Sequence, residues 1–172
     1  MANPEYVIVV NASDEELGRE EKLQAHRTPV LHRAFSVFVL DDRGAMLLQR
    51  RAAGKYHSAG LWSNACCSHP FPGESAADAV SRRLREEMGV TVPLTPLLRY
   101  TYRAELENGL IEHELDHVFV GRFDGIPSPN PAEVSEWRWI APDALDAEMA
   151  LAPGNFTAWF RLLLPEVIAR AS

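Results

Sequence analysis

Residues 63–89, SNACCSHPFPGESAADAVSRRLREEMG, constrain this chain more than any other stretch. They run from a dense loop carrying a thiol and an imidazole, Cys67 and His69, into a helix that closes on Glu86 and Glu87. Ser75 followed three positions later by Asp78 is a capping-box pattern, and Pro72-Gly73 punctuates the chain just ahead of it. Ala76, Ala79, Val80, Leu84 and Met88 recur at helical spacing, and Gly89 is a natural stop. On such a helix Arg82 stacks over Glu86 and Arg83 over Glu87, one turn apart. A charged face of this kind is either solvated and laced with salt bridges, or it turns cations and carboxylates toward a cleft.

The rest of the chain frames that stretch. Its 172 residues, 47% of them hydrophobic, suit one domain over residues 1–172 with its own core. A net charge of −7 argues against a general nucleic-acid binder, whose footprint is basic. No basic region precedes the short apolar run at residues 6–10, and no stretch approaches the roughly 20 apolar residues of a membrane span. The expectation is a cytoplasmic protein that binds neither membrane nor nucleic acid and works as a monomer. Cys66 and Cys67 are adjacent and cannot staple distant parts of the chain.

Patterning predicts strands at residues 35–40, 45–49, 110–123 and 134–140, a β-rich apolar run at 6–10, and extended segments at 90–93 and 97–104. Residues 41–44 form a turn that makes a hairpin of its flanking strands. Residues 11–18 read as a polar turn, and residues 19–32, interrupted by Pro29, as an irregular lead-in carrying His26 and His32. Residues 50–60 read as a polar loop. Pro142 opens a short helix, and residues 156–170 form a last helix with Asn155 as N-cap and Pro165 kinking or dividing it. The fold class is α+β.

Chemistry gathers on residues 110–123, LIEHELDHVFVGRF. Strand alternation puts Glu112, Glu114 and Asp116 on one side, neighbours among them about 7 Å apart along the strand, and His113 and His117 on the other. Three acids along one strand face repel unless something positive sits between them, and a metal is one solution. His26, His32 and His69 would suit such an ion together with Glu112 and Glu114, since imidazoles with carboxylates fit a borderline divalent cation. His57, His113 and His117 read as structural or surface residues. Trp62, Trp137, Trp139, Phe35 and Phe71 are either ordinary core or the wall of an apolar pocket.

Glu74, Arg82, Leu84, Glu86, Glu87, Gly89 and Val90 reproduce most of the Nudix box, with Ser68 where its first Gly belongs and Arg83 where the Glu after Arg belongs. The chain therefore resembles the Nudix fold without its full hydrolase signature. Residues 63–70, the altered helix with Arg83, the Glu112-His113-Glu114 triplet and Tyr102-Arg103 together resemble type 1 isopentenyl-diphosphate Δ-isomerases, over nearly the whole chain from Lys22 to Trp159.

That resemblance implies mixed sheets packed against the Nudix helix and a C-terminal helix. It also implies the isomerisation of isopentenyl and dimethylallyl diphosphate in isoprenoid biosynthesis. Cys67 and Glu114 match the family's proton-transfer pair, Tyr102 the assisting hydroxyl and Trp159 the aromatic that faces a carbocation. His26, His32, His69, Glu112 and Glu114 match a site for Mn²⁺, Zn²⁺ or Mg²⁺. Glu87 and the carbonyl of Cys67 match the holders of a Mg²⁺ that rides on the substrate diphosphate, and Lys22, Arg51, Lys55 and Arg83 match the diphosphate clamp. The chemistry asks for these types: moving a double bond needs a proton added at one carbon and removed at another, in a pocket dry enough to protect a tertiary cation. An indole face contributes about 2 kcal/mol to such a cation when desolvated. Two other readings stand beside this one: a Nudix hydrolase of nucleoside diphosphate derivatives holding Mg²⁺ on Glu86 and Glu87, and a non-catalytic domain stabilised by metal.

Overall fold

The computed structural model describes residues 5–171. Its strands form a nine-stranded mixed sheet. The centre is β3, His32–Leu40, which runs parallel to β8, Ile111–Arg122, over nine residue pairs. On the far side of β8 lies β7, Thr95–Glu105, joined to it through a tight turn in which Asn108 and Gly109 both take positive φ. The short β6, Cys66–Ser68, pairs with β3, while β4, Met46–Arg51, carries β9, Val134–Ile140, and the two-residue β5, Trp62–Ser63. An N-terminal hairpin of β1, Tyr6–Val10, and β2, Glu16–Glu21, joins β3 through the single pair Val9 with His32.

Each face of the sheet buries one core. Phe35, Val37 and Val39 of β3 and Leu47 of β4 pack with Ala79, Val80, Leu84 and Met88 of α2, Ala76–Met88. Phe38, Leu40, Met46 and Leu48 face the opposite way, toward Phe160, Leu163 and Val167 of α4, Ala158–Ala171. The two-residue period of a strand sorts the side chains between these cores, and it sorts the functional residues too. Helix α2 begins as its sequence predicts: the Ser75 hydroxyl accepts from the Asp78 N–H, and Gly89 ends the helix at φ 64°. A Cβ on Gly89 would lie 2.5 Å from the Ser128 carbonyl oxygen.

Several expectations need correction. Residues 16–21 are the strand β2; its charged, exposed sequence suits an outer edge, so the polar turn is confined to the residues that Asn11 Oδ1 caps through the Ser13 and Glu15 N–H groups. The lead-in holds a short helix α1, Lys22–Arg27, ended before Pro29, and His32 already belongs to β3. The predicted hairpin is nominal, because β3 and β4 share only the pair Leu40 with Met46 before parting to different neighbours. Arg50 and Arg51 belong to β4 rather than to a loop. Helix α3, Pro142–Leu151, starts at Pro142 as expected. Thr157 rather than Asn155 caps α4, its hydroxyl accepting from the Phe160 N–H, and the helix continues through Pro165 without dividing.

Candidate active site

The site lies on the α4 face of the sheet, and strand register assembles it. His32 on β3 pairs with Glu114 on β8, and Tyr102 on β7 pairs with Glu114 from the other side, so three polar side chains stand abreast on one face. Two residues along on either side come Glu112 and Asp116, both buried. On β6, Cys67 lies opposite Ser36 of β3. The adjacent cysteines consequently point to opposite faces: Cys67 packs against the α4-side core and Cys66 is buried in the α2-side core. Cys66 Sγ donates to Glu87 Oε2 at 3.2 Å, whereas Cys67 Sγ donates to Asn64 Oδ1 at 3.1 Å and lies 3.5 Å from Ser36 Oγ.

Cys67 and Glu114 line one cavity of about 200 Å³, together with Tyr102, Trp159 and Phe35. Of the five aromatics offered as pocket wall, Phe35 alone takes part. Trp62 lies under the Arg138 guanidinium, Trp137 and Trp139 pack on the α2-side core, and Phe71 is half-exposed against Arg82. All four expected clamp cations, Lys22, Arg51, Lys55 and Arg83, border the cavity. Arg51 lies 5.1 Å from the Trp159 ring centroid, and its buried Nε has no partner among the described residues. Lys22 is paired with Glu5, Lys55 with Glu133, and Arg83 with Glu86, Glu87 and Glu133.

The histidines converge. His32 Nε2, His69 Nε2 and Glu114 Oε1 form a triangle with sides of 3.3, 3.2 and 2.8 Å. Donors at right angles on one ion, with bonds near 2.1 Å, lie about 3 Å apart. The ring N–H groups at Nδ1 of His26 and His32 donate to the backbone carbonyls of Lys22 and Val30, which leaves each Nε2 as a lone pair facing inward. His26 Nε2 is buried and has no partner among the described residues. Ligand atoms of His26, His32, His69 and Glu114 all lie within 4.8 Å of one another, and Glu112 Oε2 lies 4.0 Å from His26 Nε2. The residues present thus fit a divalent ion. Glu87 stands apart on the α2 face, its carboxylate accepting from Gln49 Nε2 and Cys66 Sγ and contacting Arg83, which borders the cavity.

Burial sets the protonation of the cluster. It pulls the His69 imidazole down to about 4 and lowers His26 as well, so both are neutral donors. Burial, reinforced by the Glu114 charge, pushes the Glu112 carboxyl well above the usual range. The same burial would raise Glu114, but protons carried on the His69 and His32 imidazoles outweigh it and hold that carboxyl well below its ordinary value, a part that a bound cation would take once those rings are neutral. Tyr102, itself pushed up by burial, donates to Glu114 Oε2 at 2.7 Å. Burial, then the Asp116 charge, raises the Cys67 thiol.

Sequence reasoning set His57 aside, yet it is buried, borders the cavity and meets the Trp159 ring edge-on at 5.7 Å. It also passed over Ser36, whose hydroxyl donates to Asp116 Oδ2 at 2.7 Å behind Cys67. The available signal was a lone hydroxyl in the otherwise apolar run of residues 35–40. His117 points away from the site to Asp14, as expected of a structural residue.

The NUDIX domain pattern matches residues 30–160. An isopentenyl-diphosphate Delta-isomerase of Burkholderia multivorans is 52% identical over 160 residues, 93% of this chain and 91% of the relative. Isopentenyl-diphosphate Delta-isomerase 1 of Aromatoleum aromaticum is 51% identical, covering 95% of this chain and 92% of its own. Among solved structures, a Deinococcus radiodurans protein superposes with a TM-score of 0.72 at 23% identity, over 86% of this chain and 90% of that one. A MutT NUDIX hydrolase of Burkholderia pseudomallei gives 0.63 at 24% identity, over 80% and 98%. Both solved structures share the fold, while near-full-length identity of about one half is reached with the isomerases. The chain therefore belongs to the Nudix family, and within it to the isopentenyl-diphosphate Delta-isomerases.

Proposed function

We propose that this pocket interconverts isopentenyl diphosphate and dimethylallyl diphosphate, the reaction for which its relatives are named, by proton transfer through a tertiary carbocation-like state. The observation that carries the reading is the meeting of Cys67 and Glu114 on one cavity, with Trp159 beside them and cations at its border. One of the pair delivers a proton to the terminal methylene of isopentenyl diphosphate. The other removes one from the methylene beyond the tertiary centre, so the double bond moves by one carbon and no atom is lost. The roles exchange on reversal. Tyr102 holds Glu114 in position through its hydroxyl. The Trp159 ring faces the developing charge, and the apolar wall keeps water from capturing it.

Arg51, Lys22, Lys55 and Arg83 anchor the diphosphate, with the unpaired Arg51 Nε supporting an anionic ligand. His26, His32, His69, Glu112 and Glu114 would hold a divalent ion, Mn²⁺, Zn²⁺ or Mg²⁺, whose positive charge would offset the carboxylates gathered there. A Mg²⁺ borne by the diphosphate would be held by the Cys67 carbonyl and by Glu87, which stands on the α2 face behind Arg83 at the cavity border. The two cores on one shared sheet support a single domain over residues 1–172. No described helix is long and apolar enough to cross a membrane. The reading extends to a monomer in the cytoplasm acting on a small diphosphate, with no nucleic-acid or membrane partner.

The test is incubation of the purified protein with isopentenyl diphosphate and Mg²⁺ in D₂O, followed by NMR and phosphate analysis. Deuterated dimethylallyl diphosphate without phosphate release is expected. Release of phosphate or of a monophosphate would instead indicate Nudix hydrolysis, and absence of both a binding domain.

A further inference from the structure

The four cations that border the cavity are not equally free to meet an anion. Arg51 is 9% exposed, and its guanidinium donates to the His57 carbonyl while Nε keeps no partner among the described residues. Lys22 pairs with Glu5, whose side chain is mostly exposed, and such a pair yields easily. Lys55 and Arg83 are held more firmly. Both meet one oxygen, Oε2 of Glu133: Lys55 through Nζ, and Arg83 through Nη2 at 3.1 Å. The other guanidinium nitrogens of Arg83, Nε and Nη1, lie 3.1 Å from Glu87 and 3.0 Å from Glu86. Glu86 also pairs with Arg82, so Glu87 and Glu133 between them balance the charges of Lys55 and Arg83.

Glu133 is built into this position. Its carbonyl accepts from the Ala52 N–H just past β4, and its own N–H donates to the Asn130 carbonyl, both at 3.0 Å. Asn130 in turn donates its N–H to the Glu87 carbonyl at 2.9 Å and caps the Ala132 N–H through Oδ1. The chain before β9 is thereby tied to β4 on one side and to the end of α2 on the other. Burial would raise the Glu133 carboxyl, but the Lys55 hydrogen bond and the Arg83 charge hold it below its ordinary value. With Lys55 and Arg83 it borders a polar recess of about 190 Å³ that shares both cations, together with Lys22, Ser68 and His69, with the cavity of Cys67 and Glu114.

An anion thus already sits where a second would bind. A metal-free diphosphate that reaches Lys55 and Arg83 meets the Glu133 charge, and like charges brought face to face are costly. Mg²⁺ cancels much of the charge of a diphosphate before it arrives. With the cavity read as a diphosphate site, as above, we infer that Glu133 selects the Mg²⁺-complexed diphosphate over the metal-free one by acting as a fixed counter-charge on Lys55 and Arg83. Arg51 receives either form, and the choice between them is made at the Glu133 end.

The test is calorimetric binding of inorganic pyrophosphate to the full-length protein, with and without added Mg²⁺. Wild type is expected to bind at least about tenfold more tightly with Mg²⁺. Glu133→Gln keeps the side chain's size and removes its charge. It should bind metal-free pyrophosphate at least about tenfold more tightly than wild type does, with affinity for the Mg²⁺ complex within about threefold. Glu136→Gln makes the same charge change on an exposed pair with Arg50 and should follow wild type. No gain for metal-free pyrophosphate in Glu133→Gln would overturn the inference, as would an equal gain with and without Mg²⁺ or an equal gain in Glu136→Gln. So would a wild type that binds both forms alike, whether or not the variant folds. Pyrophosphate that binds none of these proteins in either condition would refute the diphosphate site itself.

Discussion

Cys66 and Cys67 offer a paired perturbation, because the same substitution at neighbouring positions acts on opposite faces of the sheet. Cys66 is fully buried in the α2-side core and donates to Glu87, which keeps Gln49 and Arg83 as partners. Cys66→Ala removes one buried sulfur, at a cost of about 1–2 kcal/mol. For a chain of this size each kcal/mol moves the melting temperature by roughly 2–4 °C, so a fall of about 2–8 °C is expected. Its rate per folded molecule should stay within about threefold of wild type, since no group that borders the cavity is lost. Cys67→Ala should do the reverse. It borders the cavity, so its melting temperature should change by no more than about 2 °C, while loss of the group proposed to transfer a proton should lower the rate about 100- to 10,000-fold. Initial rates of deuterium incorporation, normalised to folded protein, and thermal melts of the same samples provide the assay. Equal loss of activity in both variants with unchanged melting would refute the assignment.

Three further outcomes are expected. Tyr102→Phe removes a donor at 2.7 Å from Glu114 Oε2; a hydrogen bond to a charged group is worth about 1.5–3 kcal/mol, so the isomerisation rate should fall roughly 10- to 150-fold with the fold intact by circular dichroism. Gly89→Ala forces a side chain into φ 64° and against the Ser128 carbonyl, and should cost at least about 2 kcal/mol in urea unfolding; a midpoint equal to wild type would contradict the close approach. Glu74 is bonded by both Arg82 Nε and Nη2, and the Arg82 hydrogen bond lowers its carboxyl below 4.5. A depressed carboxyl contributes stability above its unfolded value and loses it as pH falls through the folded one. Wild type should therefore exceed Glu74→Gln by at most about 1 kcal/mol at neutral pH. The gap should close below about pH 4.5, and a gap that widens in acid would reverse the sign.

The legible parts of this molecule were those set by local rules. A cap, a glycine stop and a helical stripe delimited α2, and strand alternation put Glu112, Glu114 and Asp116 on one buried face. What local rules missed had non-local causes. β2 carries few apolar residues because it lies at the sheet edge, so hydrophobic pattern could not distinguish it from a loop. β3 and β4 looked like a hairpin because they are consecutive, yet β3 lies along its whole length against β8, its partners 82 residues onward. The convergence of His26, His32 and His69 on Glu114 was supplied by family resemblance rather than by spacing. His57 escaped notice because a buried position on a loop depends on the contact between Ser58 and Glu107, which no periodicity encodes.

The orientation of β6 has a consequence for how this enzyme tolerates change. Two chemically identical groups sit side by side, but neither is a spare for the other, because a thiol reaches the cavity only from every second position of the strand. An insertion or deletion of one residue that shifted this short strand would exchange the two cysteines and swing His69 out of the cluster with His32 and Glu114 together with them. The count of residues from Asn64 to His69 is fixed by parity as firmly as their identities are fixed by chemistry.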